Sequence, residues 1–308
     1  MALVNREVIL AGIESSYGTQ ATLTGTDAVL VESPSWSHEG ARMVERNNVK
    51  GSLAKDKSVF AGTLKQVTFD VELKGSGAAG TAPEIGVLLR ACGMAQTIVA
   101  STSVTYRPAS TAHGSATIMY YSDGIRHVLT GCRGTVSFSL EAGSFGKASF
   151  TLTGHEATPT DVSLVTPTYD TTVPPPLINV PFSIGSYSAV ITTLSVDLSN
   201  TIATPSSISA ANGYGEILIT ARDVNGSFNP DQVTVATKNY IGEWKAGTNG
   251  ALTTGVIGSA AGNRYALSAP ACYYREIAPG DLDGKRIFEI SCGFAESSGD
   301  DEIALAFT

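Results

Sequence analysis

Charge is scarce in this chain of 308 residues: only 16% are Asp, Glu, Lys or Arg, against roughly 25% in an ordinary soluble domain. No run of eighteen apolar residues accompanies that scarcity, so nothing reads as a membrane-spanning helix. Cysteine is limited to Cys92, Cys132, Cys272 and Cys292, with no CxxC pair to suggest a zinc ribbon or a dithiol. The opening MALVNREVIL is too poor in apolar residues, and charged too soon, for an export signal. The expectation is folding in the producer's cytoplasm with the thiols reduced and buried. Cations are too few to grip nucleic acid: the formal charge is −8, whereas phosphate binding needs clustered Lys and Arg. An acidic protein can still meet DNA as a wall that repels it.

Gly, Ser, Thr, Ala and Val are abundant, which suits strands and tight turns. Their arrangement repeats. In the first half, Ser35–Lys57 leads through Leu64–Leu73 to a Gly-rich turn and a helix-like stretch, Pro83–Met94. In the second, Thr193–Asn212 leads through Gly215–Asp223 to a turn at Asn225–Gly226 and a helix-like stretch, Pro230–Ala246. A matched pair of strand-like segments follows each, starting at Arg126 and at Asn263. A chain that makes one β-unit twice usually builds a symmetric assembly or an array.

Alternation gives each strand one apolar and one polar face. Val67, Phe69, Val71 and Leu73 oppose Gln66, Thr68, Asp70 and Glu72; Val136, Phe138 and Leu140 oppose Thr135, Ser137, Ser139 and Glu141. Leu194, Val196 and Leu198 likewise oppose Ser195, Asp197 and Ser199. Antiparallel sheets wetted on one side have this pattern. Each helix carries an apolar stripe, Ile85, Leu88, Leu89 and Cys92 in one, Val233, Ala236, Tyr240, Ile241 and Trp244 in the other, able to close a core against a sheet. Asn229 before Pro230 reads as the start of the second helix. The fold class expected is mainly β with short helices, in two tandem β-sandwich or half-barrel domains. Their bounds are an N-terminal arm at 1–33, a first domain at 34–157, a proline-rich linker at 158–180 and a second domain at 181–308.

Several motifs yield to plainer readings. Gly75-Ser-Gly77-Ala-Ala-Gly80 fits GxGxxG, yet no acidic residue lies between Glu84 and Asp123 to hold a ribose. No cofactor is expected. Asp281-Leu-Asp283-Gly284 has its glycine too early for a calcium loop and reads as a hairpin turn. The four histidines, His38, His113, His127 and His155, have no metal-ligand spacing, and no nucleophile elbow is present. The chain is not expected to be an enzyme.

The segment from Arg42 to Phe60 differs. It carries Arg42, Arg46, Lys50, Lys55 and Lys57 against Glu45 and Asp56. It reads either as a solvated hairpin or as a projecting basic loop that meets an acidic neighbour, suited to self-stacking. Phosphate binding is the third and weakest option.

The opening ILAGIESSYGTQATLTGTDAVLVES resembles the start of major tail proteins of long-tailed bacteriophages. GSGAAGTAPEIGVLLRACGM followed by paired strands ending in FTLTG is similar too, and the second half follows the plan more loosely, as in relatives with a duplicated tube domain. The resemblance implies a virion tail protein assembled in the host cytoplasm, whose domains each lend four strands to a shared barrel. Six such domains close a ring, so three copies of this chain form a pseudo-hexameric trimer; rings stack into a tail tube, with the long loop touching the next ring. Asp70, Glu72, Glu141, Asp197 and Glu289 are then the candidate lumen-facing acids, and Arg42, Arg46, Lys50, Lys55 and Lys57 the candidate inter-ring loop cations. The implied partners are further copies of the chain, a tape measure protein, tail-end proteins and double-stranded DNA in transit; no membrane is implied. The alternative is an outer-membrane or extracellular β-structured surface protein, which calls for an export signal or aromatic girdles that the sequence does not offer.

Overall fold

The structure, a computed structural model, describes residues 6–308; residues 1–5, where the N-terminal arm and the segment judged for an export signal begin, lie outside them. Strand makes up 49% and helix 5%, so the protein is mainly β as expected. The first half contains β1 (Glu7–Ile13), β2 (Glu32–Glu39), β3 (Leu64–Glu72), α1 (Gly86–Ala91), β4 (Met94–Val99), β5 (Ser103–Pro108), β6 (Ala116–Ser122), β7 (Ile125–Glu141) and β8 (Lys147–Glu156). The second contains β9 (Ile191–Asp197), β10 (Asn225–Pro230), α2 (Tyr240–Ala246), β11 (Gly250–Thr253), β12 (Tyr265–Leu282), β13 (Lys285–Ala295) and β14 (Ala304–Phe307).

One antiparallel sheet crosses the whole chain in the order β2-β3-β8-β7-β9-β10-β13-β12. Each half thus lays its four strands in the same spatial sequence: first, second, fourth, third. The ladder from Ser137↔Asp197 to Glu141↔Thr193, between β7 and β9, joins them. The two longest strands, β7 and β12, each carry a register shift, at Thr130/Arg133 and Tyr274/Glu276. A bulge bends a strand and sharpens its twist, and here it frees the leading half of each to pair elsewhere. That of β7 pairs with β6, and β6 with β1; that of β12 pairs with β11 and β14, and β14 with β5. The pairings branch but never return to their start, so within one chain the sheet is open. The eight-strand run ends at β2 and at the trailing half of β12, each paired on one side only.

Alternation dictates the core. Val67, Phe69 and Val71 of β3, Val136 and Phe138 of β7, and Phe150 and Leu152 of β8 pack in one cluster with Leu194, Val196, Phe228 and Ile290 of the second half. Leu88 and Leu89 of α1 are fully buried in it. All four cysteines are free and buried, and burial pushes the Cys92 and Cys132 thiols well above their ordinary range.

Local readings needed correction in three places. Asn225–Gly226 is not a turn but the start of β10, and Gly215–Asp223 does not occupy the place of β3; its residues Leu218–Arg222 form a separate hairpin with Asn200–Ala203. Asn229 does not cap a helix: its Oδ1 accepts from the backbone N–H of Thr192 (2.9 Å) and Thr193 (2.8 Å), filling the bulge in β9. The second helix starts later, capped by Asn239, whose side chain accepts from the N–H of Gly242, and ends at Gly247 in the left-handed region, where glycine carries no Cβ penalty. Val233 and Ala236 therefore lie outside it.

The Gly75–Gly80 turn serves a contact between the halves. Gly75 N–H donates to Asn263 Oδ1 and Gly77 N–H to Gly262 O, both at 3.0 Å. A Cβ on Gly75 would stand 2.0 Å from the Gly262 carbonyl oxygen, so close approach demands glycine there.

Candidate functional site

Turning the apolar residues of eight adjacent strands to one side leaves a single polar face on the other. Following partners across the strands gives rows of short polar side chains. One row begins at Glu72 and passes through Lys147, Ser139 and Ser195. It continues through Ser227 and Ser291 to Glu276 on the far edge. The next row holds Glu32, Asp70, Ser149 and Ser137, then Asp197 and Asn225. Hydroxyls bond across strands: Ser35 with Thr68 at 2.6 Å and Ser195 with Ser227 at 2.9 Å.

All five acids proposed from the sequence sit on this face. Asp70 accepts from Ser149 Oγ, and Asp197 Oδ1 accepts from the Ser199 N–H at 2.7 Å, steadying the turn after β9. Glu72 stands opposite Lys147, Glu141 opposite Thr193, and Glu289 opposite Ala278. Sequence reasoning missed three charged residues here. Glu32 and Glu276 lie on the two edge strands next to irregular positions, where simple alternation miscounts the face. Lys147 Nζ reaches Glu32 Oε2 at 2.6 Å, and that contact raises the ammonium pKa. These two rows are therefore acidic in balance and rich in hydroxyls, with Lys147 as their one cation.

The five basic-loop residues separate into base and tip. Arg42 anchors the base: its guanidinium lies 3.9 Å from the Tyr214 ring centre, with Nη2 donating to Ser206 Oγ (2.7 Å) and Nη1 to Gly213 O (3.3 Å). Tyr214 Oη donates to Gly40 O on the other side. Two rungs, Met43↔Phe60 and Val44↔Val59, carry the loop outward. Near the tip Lys50 pairs with Asp56 at 2.7 Å, holding that carboxyl below its usual range, and Lys55 approaches Glu45 at 3.7 Å. Among the described residues Arg46 and Lys57 make no ion pair, and Val49 and Leu53 are fully exposed.

Histidines that look scattered in the sequence converge in the fold. Fully buried Lys65 donates to Glu156 Oε1 (2.7 Å), lies 2.8 Å from His127 Nδ1 and sits 3.7 Å from the Trp36 ring centre. His38 Nδ1 is 3.9 Å from the other Glu156 oxygen. No spacing rule finds this cluster, because β2, β3, β7 and β8 each supply members. It clamps edge strand β2 to the body. Among the described residues, no group of three or more His, Cys, Asp or Glu could hold a metal ion.

A family model described as phage tail tube protein matches residues 4–303, nearly the whole chain. No curated protein matches it.

Proposed function

Since the chain belongs to the phage tail tube protein family, a structural component of the virion tail, we propose that three copies close into a pseudo-hexameric ring. In this reading each half is one tube unit, bounded at 34–157 and 181–308, with the 158–180 linker between. Rings assemble in the host cytoplasm and stack into the conduit through which double-stranded DNA is ejected. Tape measure and tail-end proteins complete the tail.

The open, twice-ordered sheet carries the proposal. The internal joint pairs an ascending β7 with a descending β9. At the chain's edges β12 ascends, as β7 does, and β2 descends, as β9 does. A second copy can therefore add its β2 to the free side of β12 in the same antiparallel sense. An exposed edge strand left unpaired is an aggregation hazard, and closing the ring pairs both of these outer strands. Pro34 and Pro279 fall on these two outer strands, where a missing N–H is tolerated. Three copies bring about 24 strands, giving a backbone diameter of roughly 48 Å and a lumen of about 38 Å, wide enough for a duplex about 20 Å across. The polar face lines that lumen. Its acids, Asp70, Glu72, Glu141, Asp197 and Glu289, repel phosphate while the Ser and Thr hydroxyls keep the wall wetted, so DNA slides without adhering.

Electron microscopy and native mass measurement of the purified protein test the assembly; compact monomers at all concentrations refute it. For the wall, the expectation is that Asp70→Lys together with Asp197→Lys preserves tubes but slows DNA ejection and makes it salt-dependent. Unchanged ejection from intact particles removes the lumen assignment.

A further inference from the structure

The loop and an apolar cleft lie at opposite ends of the same sheet. The loop leaves between Glu39 and Leu64, where β2 ends and β3 begins. Strands β3, β8 and β7 run from that end to the other, where Glu72, Lys147 and Ser139 stand side by side. Just past Ser139, at this far end, Leu140 meets Leu194 of β9, and a cleft of about 260 Å³ opens between them and the linker. Leu177, Phe182, Ala189 and Ile191 line it further. It exceeds the roughly 150 Å³ cavity that accepts a benzene ring. On its rim Val190 and neighbouring Ile178 are largely exposed, and nothing among the described residues covers them.

We propose that this cleft is the seat for the loop tip of a second copy in the adjacent ring, which inserts Val49 and Leu53; the proposal rests on the tube reading above. Three observations select this occupant. Apolar side chains stand fully exposed on the projection and line the recess, and placement at opposite ends prevents one molecule from satisfying both. Such a head-to-tail contact leaves a free loop and a free cleft after every addition, so it propagates as a stack. Charge agrees as well. The loop holds five cations against two carboxylates in a chain of formal charge −8, while Glu141, Asp281 and Asp283 stand at the cleft end, with Lys285, paired to Asp231, and Arg286 on the same hairpin; among the described residues none of the three acids is in an ion pair. Opposite charge on the two surfaces fixes polarity and register. The clamp of Arg42 by Ser206, Gly213 and Tyr214 fixes the loop's direction before docking, so less conformational freedom is lost on contact.

A double variant, Leu53→Cys with Val190→Cys, tests the seat by mild oxidation of assembled protein, since the four native cysteines are buried. The expected result is a covalent ladder extending past the copies of one ring, with either single variant giving at most background. Leu53→Ser should retain rings but lose stacking. Tubes that form normally in the double variant without cross-linking above the single variants overturn the seat and leave the tube reading standing. If the unmodified protein forms no tubes, the tube reading fails and the seat falls with it.

Discussion

Replacing Arg42 by Ala should loosen the root of the loop by an amount the contacts allow to be sized. The Ser206 hydrogen bond at 2.7 Å has good geometry and contributes about 1 kcal/mol. The Gly213 contact is long at 3.3 Å and adds about 0.5 kcal/mol. Stacking over Tyr214 at 3.9 Å, partly open to water, adds about 0.5 kcal/mol. The sum, about 2 kcal/mol, corresponds to roughly a 30-fold larger population of the opened loop root. Hydrogen exchange at Arg42 N–H, which donates to Gly62 O, and at Ala61 N–H, which donates to Arg42 O, reads that population directly. Protection there should fall by about 30-fold while amides of β7 and β8 keep theirs. Arg42→Lys retains the charge but loses the fork and the planar stack, so it should recover only a minor part. Protection unchanged in the Ala variant would mean that the two rungs beyond Arg42 hold the root without it, and the argument for a pre-aimed loop would go.

Two further outcomes follow from carboxylates held in hydrogen-bond networks. Glu14 is buried and accepts from the N–H groups of Gly18 and Gly131 (both 2.8 Å) and from the hydroxyls of Ser115 (2.6 Å) and Thr117 (2.9 Å). The backbone donors cannot turn away, so Glu14→Ala should cost about 3 kcal/mol and Glu14→Gln less, measured by urea unfolding of unassembled protein. A loss under 1 kcal/mol for the Ala variant would contradict the network. Burial tends to raise the Glu156 pKa, but its contacts with Lys65 and His127 outweigh that and hold it below the ordinary value. The unfolded chain then binds the proton first, so stability present above about pH 4.3 is lost as pH falls through the lower folded-state pKa. Glu156→Gln should be less stable at pH 7, because Lys65 is left buried without its counter-charge, and should show a shallower decline between about pH 5 and pH 3; parallel profiles for the two proteins would refute the assignment.

What could be read in the sequence divides along physical lines. Period-2 alternation in Val67–Leu73, Val136–Leu140 and Leu194–Leu198 is a local property, and it located the strands and their polar faces before any contact was known. The same rule put Asp70, Glu72, Glu141 and Asp197 on the polar sides of their strands, because a strand's side chains have only two directions, and the register joins those sides, with Glu289, into one face. It failed where backbone geometry departs from that rule. Glu32 and Glu276 sit beside register shifts, and Asn229-Pro230 imitates a helix start because an amide that can cap a helix can equally fill a bulge. Residues gathered from distant strands, such as Lys65, His127 and Glu156, were out of reach for any spacing rule.

The joint between β7 and β9 adds something neither half shows alone. A chain made of two separately closed units would have no need for an edge-to-edge ladder between them, and each could hide its edges by folding over itself. Here the ladder of the first unit instead continues, in register, into that of the second, and the apolar residues of both units form one cluster behind it. The protein thus already contains one instance of the contact that the proposed ring would repeat. Within the chain, that contact forms at the high effective concentration of a tether, so one of the two kinds of joint in each protomer assembles on folding. In the proposed ring, the remaining joint, between β12 of one copy and β2 of the next, would be made from free subunits. Ring formation should accordingly depend on the third power of protomer concentration rather than the sixth, and that order, read from how ring abundance scales with free protomer in native mass spectra, separates a trimer of two-unit chains from a hexamer.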